Sequence, residues 1–177
     1  FAAGDKPAPK PKGYSIKVRL NGLKDTSCYL AYHFGDKQYL KDTAKVDSKG
    51  NMVFYVNDNL QGGIYLLVLP NKTNFEFLVV DNEQSFALET DTGKMVEKMK
   101  VTGSKENELF FGFLRFLGKR TSEADPFLEG YKRNKDKNKD SVTYFQDKLN
   151  AVEKQVKTER QRIIKENQGS LVSKIFK

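Results

Sequence analysis

At Gly103-Ser104 the spacing of apolar residues changes, and this constrains the fold more than any other feature of the chain. Before that point apolar side chains recur every second residue; after it they recur every third or fourth. A period of two belongs to strands with one buried face, and a period near 3.6 to helices with an apolar stripe. The expected class is therefore α+β: an antiparallel β-sandwich of seven to eight strands over residues 13–102, then amphipathic helices over 103–177.

Within the β half, Tyr14, Ile16, Val18 and Leu20 alternate with Ser15, Lys17 and Arg19. Cys28, Leu30 and Tyr32 alternate with Tyr29, Ala31 and His33 in a second strand. Leu40, Ala44 and Val46 are expected on one face of a third, interrupted by Asp42. Asp47-Ser48-Lys49-Gly50 reads as a hairpin turn, because Gly adopts positive φ without a Cβ clash. Met52, Phe54 and Val56 follow. Ile64 to Leu69 is apolar on both faces, which predicts an interior strand. Phe75 to Val80, Phe86 to Glu89 and a short segment near Lys98 to Val101 complete the set. Lys17, Arg19, Lys41 and Lys45 are expected to protect strand edges from edge-to-edge pairing.

Ser104 is a suitable N-cap, with Glu106 and Asn107 in the first turn beyond it. The stripe Leu109, Phe110, Phe113, Leu114, Phe116 and Leu117 predicts a helix to about Arg120 that docks on the sheet, with Phe113 central to the contact. Asp125-Pro126 reads as the start of a short second helix. Residues 132–139, which hold no apolar side chain, read as an exposed basic loop. Val142, Phe145, Leu149, Val152, Val156 and Ile163 form one heptad seam, with a gap at Glu159. That seam calls for an apolar partner: another helix of the same chain, or, as the alternative, a second copy in a homodimer through the 142–163 helix. Asn167-Gln168-Gly169 ends the helix, and Leu171, Val172, Ile175 and Phe176 begin another.

Composition narrows the chemistry. Of 177 residues one is cysteine and one histidine, which excludes an internal disulfide, a Cys-rich zinc site, a two-Cys redox centre and a multi-His metal site. Cys28 lies mid-strand on the apolar face and reads as a buried thiol rather than a nucleophile. His33 reads as an ordinary exposed side chain. Asp36, Asp42, Asp47 and Asp58 lack the dense spacing of a calcium loop and read as turn formers. Gly103-Ser104-Lys105 lacks the remaining glycine and hydroxyl of a phosphate-binding loop. No catalytic, cofactor-binding or metal-ligating residue is expected. The net charge of +8 sits mostly after residue 102, yet mixed signs and one flanking aromatic, Tyr131, argue against nucleic acid. The longest apolar run, Ile64 to Leu69, is far too short to span a bilayer.

Phe1 stands where a Met would begin a chain, and residues 1–12 alternate Pro and Lys into an expected flexible tether. Together these fit an exported protein whose signal peptide has been removed.

The runs K-D-T-A-K-V-D-S-K-G-N-M-V-F (41–54), G-G-I-Y-L-L-V-L-P (62–70), N-F-E-F-L-V-V-D-N-E-Q-S-F-A-L (74–88) and V-T-G-S-K-E-N-E-L-F-F-G-F (101–113) resemble the N-terminal region of exported thioredoxin-like proteins of anaerobic Gram-negative bacteria. In that family a β-sandwich of unknown function and a helical segment precede a thioredoxin-like or peroxiredoxin-like domain. This chain has no C-x-x-C, so no redox role carries over to any of its residues. The resemblance implies a non-catalytic structural or recognition module of a periplasmic or outer-membrane-anchored protein, touching the membrane only through a removed signal or a lipid anchor. The implied partners are a downstream thioredoxin-like domain and a protein or peptide ligand; no cofactor is implied. The alternatives are a free-standing envelope domain that binds a glycan or peptide through exposed aromatics such as Tyr29, Tyr55 or Tyr65, and, by charge alone, a nucleic-acid binder.

Overall fold

A computed structural model of the chain describes residues 13–177. The expected tether, residues 1–12, lies outside them. Eight strands form two four-stranded sheets: β1 (Tyr14–Asn21), β2 (Thr26–Phe34), β3 (Lys37–Val46), β4 (Asn51–Val56), β5 (Gly63–Val68), β6 (Asn74–Val79), β7 (Ser85–Asp91) and β8 (Lys100–Thr102). One sheet has the order β4-β1-β7-β8 and the other β3-β2-β5-β6. The inner faces meet in one core that includes Ile16, Leu20, Cys28, Leu30, Phe54, Leu67, Phe77 and Leu88. The class is α+β, as expected.

Four details depart from the sequence reading. First, β1 and β7 pair in parallel, while the other strand pairs are antiparallel. Parallel neighbours need a long crossover, and here the chain between Asn21 and Ser85 supplies it through the other sheet. Second, the Asp47–Gly50 turn does not close a hairpin: β3 pairs with β2, and β4 with β1. The turn instead carries the chain from one sheet to the other. The Asp47 carboxylate accepts from the backbone N–H groups of Lys49 and Asn51 at 2.8 Å each. Gly50 has φ 84°, and a Cβ there would lie 2.3 Å from the Leu20 carbonyl oxygen, so only glycine fits this corner.

Third, β1 is interior, so Lys17 and Arg19 sit on the outer face of a central strand; of the four predicted guards only Lys41 and Lys45 lie on an edge, that of β3. Fourth, a bulge between Leu30 and Ala31 leaves Lys41 as the extra residue of β3. It reverses the faces beyond it, because side chains alternate strictly along a strand. Tyr39 thereby joins the inner row opposite Tyr32, and Leu40, expected inside with Ala44 and Val46, is 64% exposed. The expectation for β5 holds: it is interior and buried on both faces.

Three helices follow: α1 (Lys105–Asn134), α2 (Lys139–Glu166) and α3 (Leu171–Ile175). α1 runs unbroken through Pro126, at 30 residues or about 45 Å, so the predicted stop near Arg120 and restart at Asp125 are overturned. An interior proline costs a helix about 3 kcal/mol; the packing of α1 against α2 opposes that cost, with Ala124, Phe127 and Tyr131 half-buried and Gly130 buried on this stretch. The predicted basic loop 132–139 shrinks to a turn at residues 135–138, because Lys132 and Arg133 complete the last turn of α1 and Asn138 caps α2 with its side chain on the Ser141 N–H at 3.0 Å.

The α2 seam packs within the chain. Val142, Phe145, Leu149, Val152, Val156 and Ile163 are buried or half-buried while the residues between them, Glu159 excepted, are exposed, and α1 is the helix they face. Glu159 fills the gap and is paired with Arg162 at 2.7 Å, which lowers the Glu159 pKa through that hydrogen bond. A Cβ on Gly130 would lie 2.3 Å from the Phe145 ring, so the absent side chain makes room for that ring.

Candidate functional site

A sandwich has two open sides, where the edge strands of its sheets face one another. Here the two are treated differently.

α1 closes the side between β6 and β8. Ser104 caps the helix, its Oγ accepting from the Asn107 N–H at 3.1 Å, and its hydroxyl donates to Glu83 at 2.6 Å. The Glu83 carboxylate, in the β6–β7 turn, also accepts from the backbone N–H groups of Lys105 and Glu106, where the helix dipole favours an anion. The Asn107 side chain is fully buried; its Oδ1 accepts from Leu78 N–H and its Nδ2 donates to Leu78 C=O, both at 2.7 Å. An amide so placed imitates the next strand and satisfies an edge that burial would otherwise leave unpaired. Phe111 inserts against Phe75 with ring centroids 6.2 Å apart. Glu106 in turn accepts from the first N–H groups of α3, Leu171 at 2.9 Å and Val172 at 2.8 Å. Phe176 packs back on Phe113, centroid to centroid 4.5 Å. Phe113 is buried in the same core as the strands and also meets Phe176 just past α3, while Phe111, outside the predicted stripe, is the ring set against Phe75 of the sheet.

On the other side β3 and β4 meet at the Asp47–Gly50 corner, and the far end of β3, Lys37 to Lys41, is exposed. Along the inner face of its sheet runs a row in direct cross-strand register: Phe77 on β6, Tyr65 on β5, Tyr32 on β2, Tyr39 on β3. Neighbouring centroids lie 6.2, 6.0 and 5.7 Å apart. Aromatic pairs at these separations stabilise a sheet beyond their buried area. Exposure rises along the row: Phe77 is fully buried, Tyr65 is 4% exposed, and Tyr39 is 43% exposed. Phe34, 71% exposed at the β2–β3 hairpin, sits edge-on to Tyr39. Beside the row Asp42 accepts from the Tyr14 hydroxyl at 3.0 Å. Burial, and then Asp42, hold the Tyr14 phenol well above its ordinary range; burial and Tyr32 raise Tyr65 as well. Chemically this is a half-open aromatic shelf with a carboxylate, suited to holding a ligand and supplying no nucleophile.

The remaining single residues fall as follows. Cys28 is fully buried, and burial pushes its thiol up to about 11, where no thiolate forms near neutral pH. His33 pairs with Glu76 at 3.4 Å on the surface. Asp36, Asp47 and Asp58 lie in turns or bends; Asp42 instead lies within β3, so its assignment as a turn former is overturned. Tyr29 and Tyr55 stand on different sheets and Tyr65 is buried, so the three form no groove; the exposed aromatics that meet are Phe34 and Tyr39, beside half-buried Tyr32. Only the bulge assembles it, and a bulge has no signature in a period-two pattern. Among the described residues no group of three His, Cys, Asp or Glu side chains could hold a metal ion, and no helix is long and apolar enough to cross a membrane.

No curated protein matches the chain. Among solved structures, the crystal structure of (S)-allantoin synthase is similar at a TM-score of 0.36 and 5% sequence identity. The overlap covers 46% of this chain and 41% of that one, and a likeness so slight carries no argument. A family model described as a domain of unknown function, DUF4369, matches residues 14–110, more than half of the chain, which takes in all eight strands and the first turns of α1. The chain belongs to that family of domains of unknown function, DUF4369.

Proposed function

We propose that this chain is a non-catalytic recognition module of an exported thioredoxin-like protein, standing ahead of the redox domain and holding a polypeptide ligand for it. The observation that carries the recognition role is the open aromatic row Tyr65–Tyr32–Tyr39 beside Asp42, set in a domain whose sole thiol is sealed in the core. Exposed aromatics backed by a rigid sheet bind ligands at low entropic cost. The helical half supports a positioning role. Glu83, Asn107 and Glu106 tie the sandwich, α1 and α3 together through buried or partly buried hydrogen bonds. A module joined in this way transmits orientation to whatever is attached to it.

The link to a thioredoxin-like partner rests on the sequence runs at 41–54, 62–70, 74–88 and 101–113, as does the assignment to the periplasm or the outer membrane of a Gram-negative cell. Reading the gene downstream of the Lys177 codon tests it. A thioredoxin-like segment carrying C-x-x-C in the same frame is the expected result. A frame that ends without one, or continues into an unrelated domain, would overturn the partner assignment. A free-standing ligand-binding domain would use the same aromatic row, and the gene sequence separates the two.

A further inference from the structure

We infer that the outer edge of β3 receives an extended acidic segment of another polypeptide as a fifth strand of its sheet. The inference rests on the recognition role proposed above and names its ligand.

The two edges of this sheet are unlike. Asn107 occupies the β6 edge with paired 2.7 Å hydrogen bonds to Leu78. At the β3 edge no strand pairs among the described residues. β3 is the longest strand, at 10 residues, and Lys37 to Lys41 are all exposed. The Thr43 N–H already donates to the Asp42 carboxylate at 2.7 Å, and Lys41, Lys45 and the bulge guard the edge against a like strand; the exposed backbone N–H and C=O groups of Lys37 to Lys41 are a template for a further strand of complementary charge. The inner row Phe77–Tyr65–Tyr32–Tyr39 crosses all four strands and ends in solvent at Tyr39, so an incoming apolar side chain on that face would extend the stack.

Charge selects the occupant. Lys41, Thr43 and Lys45 are exposed on β3, and Lys45 lies on the outer face, since its neighbours Ala44 and Val46 are buried. An acidic side chain on a neighbouring strand would pair with Lys41 and Lys45 across the strands, while the Asp42 carboxylate between them is held by the Tyr14 hydroxyl and the Thr43 N–H. A second copy is disfavoured by the same residues: two β3 edges joined antiparallel about Thr43 would set Lys41 against Lys45 twice. A lipid surface is disfavoured by Asp36 at the tip of the β2–β3 hairpin, which would have to enter with Phe34.

The experiment uses the full 177-residue chain and two capped ten-residue peptides, one alternating Val with Glu and one alternating Val with Lys. Fluorescence anisotropy gives affinity, and amide hydrogen exchange locates the site. The expected result is binding of the Glu peptide at least tenfold tighter than the Lys peptide, with slowed exchange in Lys37–Lys45. In the doubly exchanged variant Lys41→Glu with Lys45→Glu, folded by circular dichroism, the preference reverses. Equal binding of both peptides, no binding of either, or protection on another element would overturn the inference. So would binding of phosphatidylglycerol vesicles, blocked by Phe34→Ser, without peptide binding. A silent β3 edge would leave the attachment to a thioredoxin-like domain standing, because the downstream gene sequence tests that separately.

Discussion

Asn107 and Leu78 are 29 residues apart in sequence and joined by two hydrogen bonds of 2.7 Å, the side-chain amide of one closing on the backbone amide and carbonyl of the other. This pair turns a helix start into the last partner of a sheet. Replacing Asn107 by Leu keeps the volume and removes both partners, leaving a buried N–H and C=O unpaired at about 1–3 kcal/mol each. We expect urea denaturation to show a loss of about 2–5 kcal/mol at an unchanged m-value. The exposed Gln146–Asn150 pair is the control, and Asn150→Ala should stay within about 0.5 kcal/mol of the parent.

Gly130→Ala should loosen the helical hairpin. Its methyl carbon would stand 2.3 Å from the Phe145 ring, and overpacking of this kind costs about 1–3 kcal/mol. The double variant Gly130→Ala with Phe145→Ala should be less destabilised than the sum of the two single changes, as a thermal-denaturation cycle would show.

Leu149→Asp places a charge in the seam that α1 covers within the same chain. The expected outcome is reduced helicity by circular dichroism with an unchanged monomeric mass by light scattering. A fall from dimer to monomer with full helicity would instead establish a homodimer through the 142–163 helix.

Asp47 should make a small, pH-dependent contribution. Hydrogen bonds, first from the Asn51 side chain and then from backbone N–H groups, hold its carboxyl below the ordinary value. A depressed folded-state pKa stabilises the fold above the unfolded-state pKa, and that contribution disappears as pH falls through the folded value. The urea midpoint of the parent should therefore fall more steeply between about pH 5 and pH 2 than that of Asp47→Asn.

How far the sequence disclosed this arrangement depends on the range of each interaction. Period and turn chemistry are local, so Tyr14–Leu20, Ser104 as a cap and the α2 seam could all be read directly. Strand neighbours are not local: alternation tells which face of β1 is buried, and nothing in Lys17 or Arg19 tells that β7 lies alongside in parallel. The bulge at Lys41 is one residue of slippage, yet it sends Leu40 outward and brings Tyr39 into the aromatic row, so the candidate site itself was hidden. Pro126 carries a local helix-start signal, but the packing of α2 against α1, a contact between distant residues, keeps the helix continuous through it. Phe113 was correctly placed inside, but its partner Phe176 arrives from a helix 63 residues later.

The central claim is recognition without thiol chemistry, and its most direct test is the insulin-reduction assay. Native chain and Cys28→Ser are compared with dithiothreitol as reductant, after checking that both give the same circular dichroism. A fully buried thiol raised to about 11 predicts turbidity curves identical to each other and to the dithiothreitol background at neutral pH. Insulin reduction by the native chain above both the background and Cys28→Ser would contradict the account.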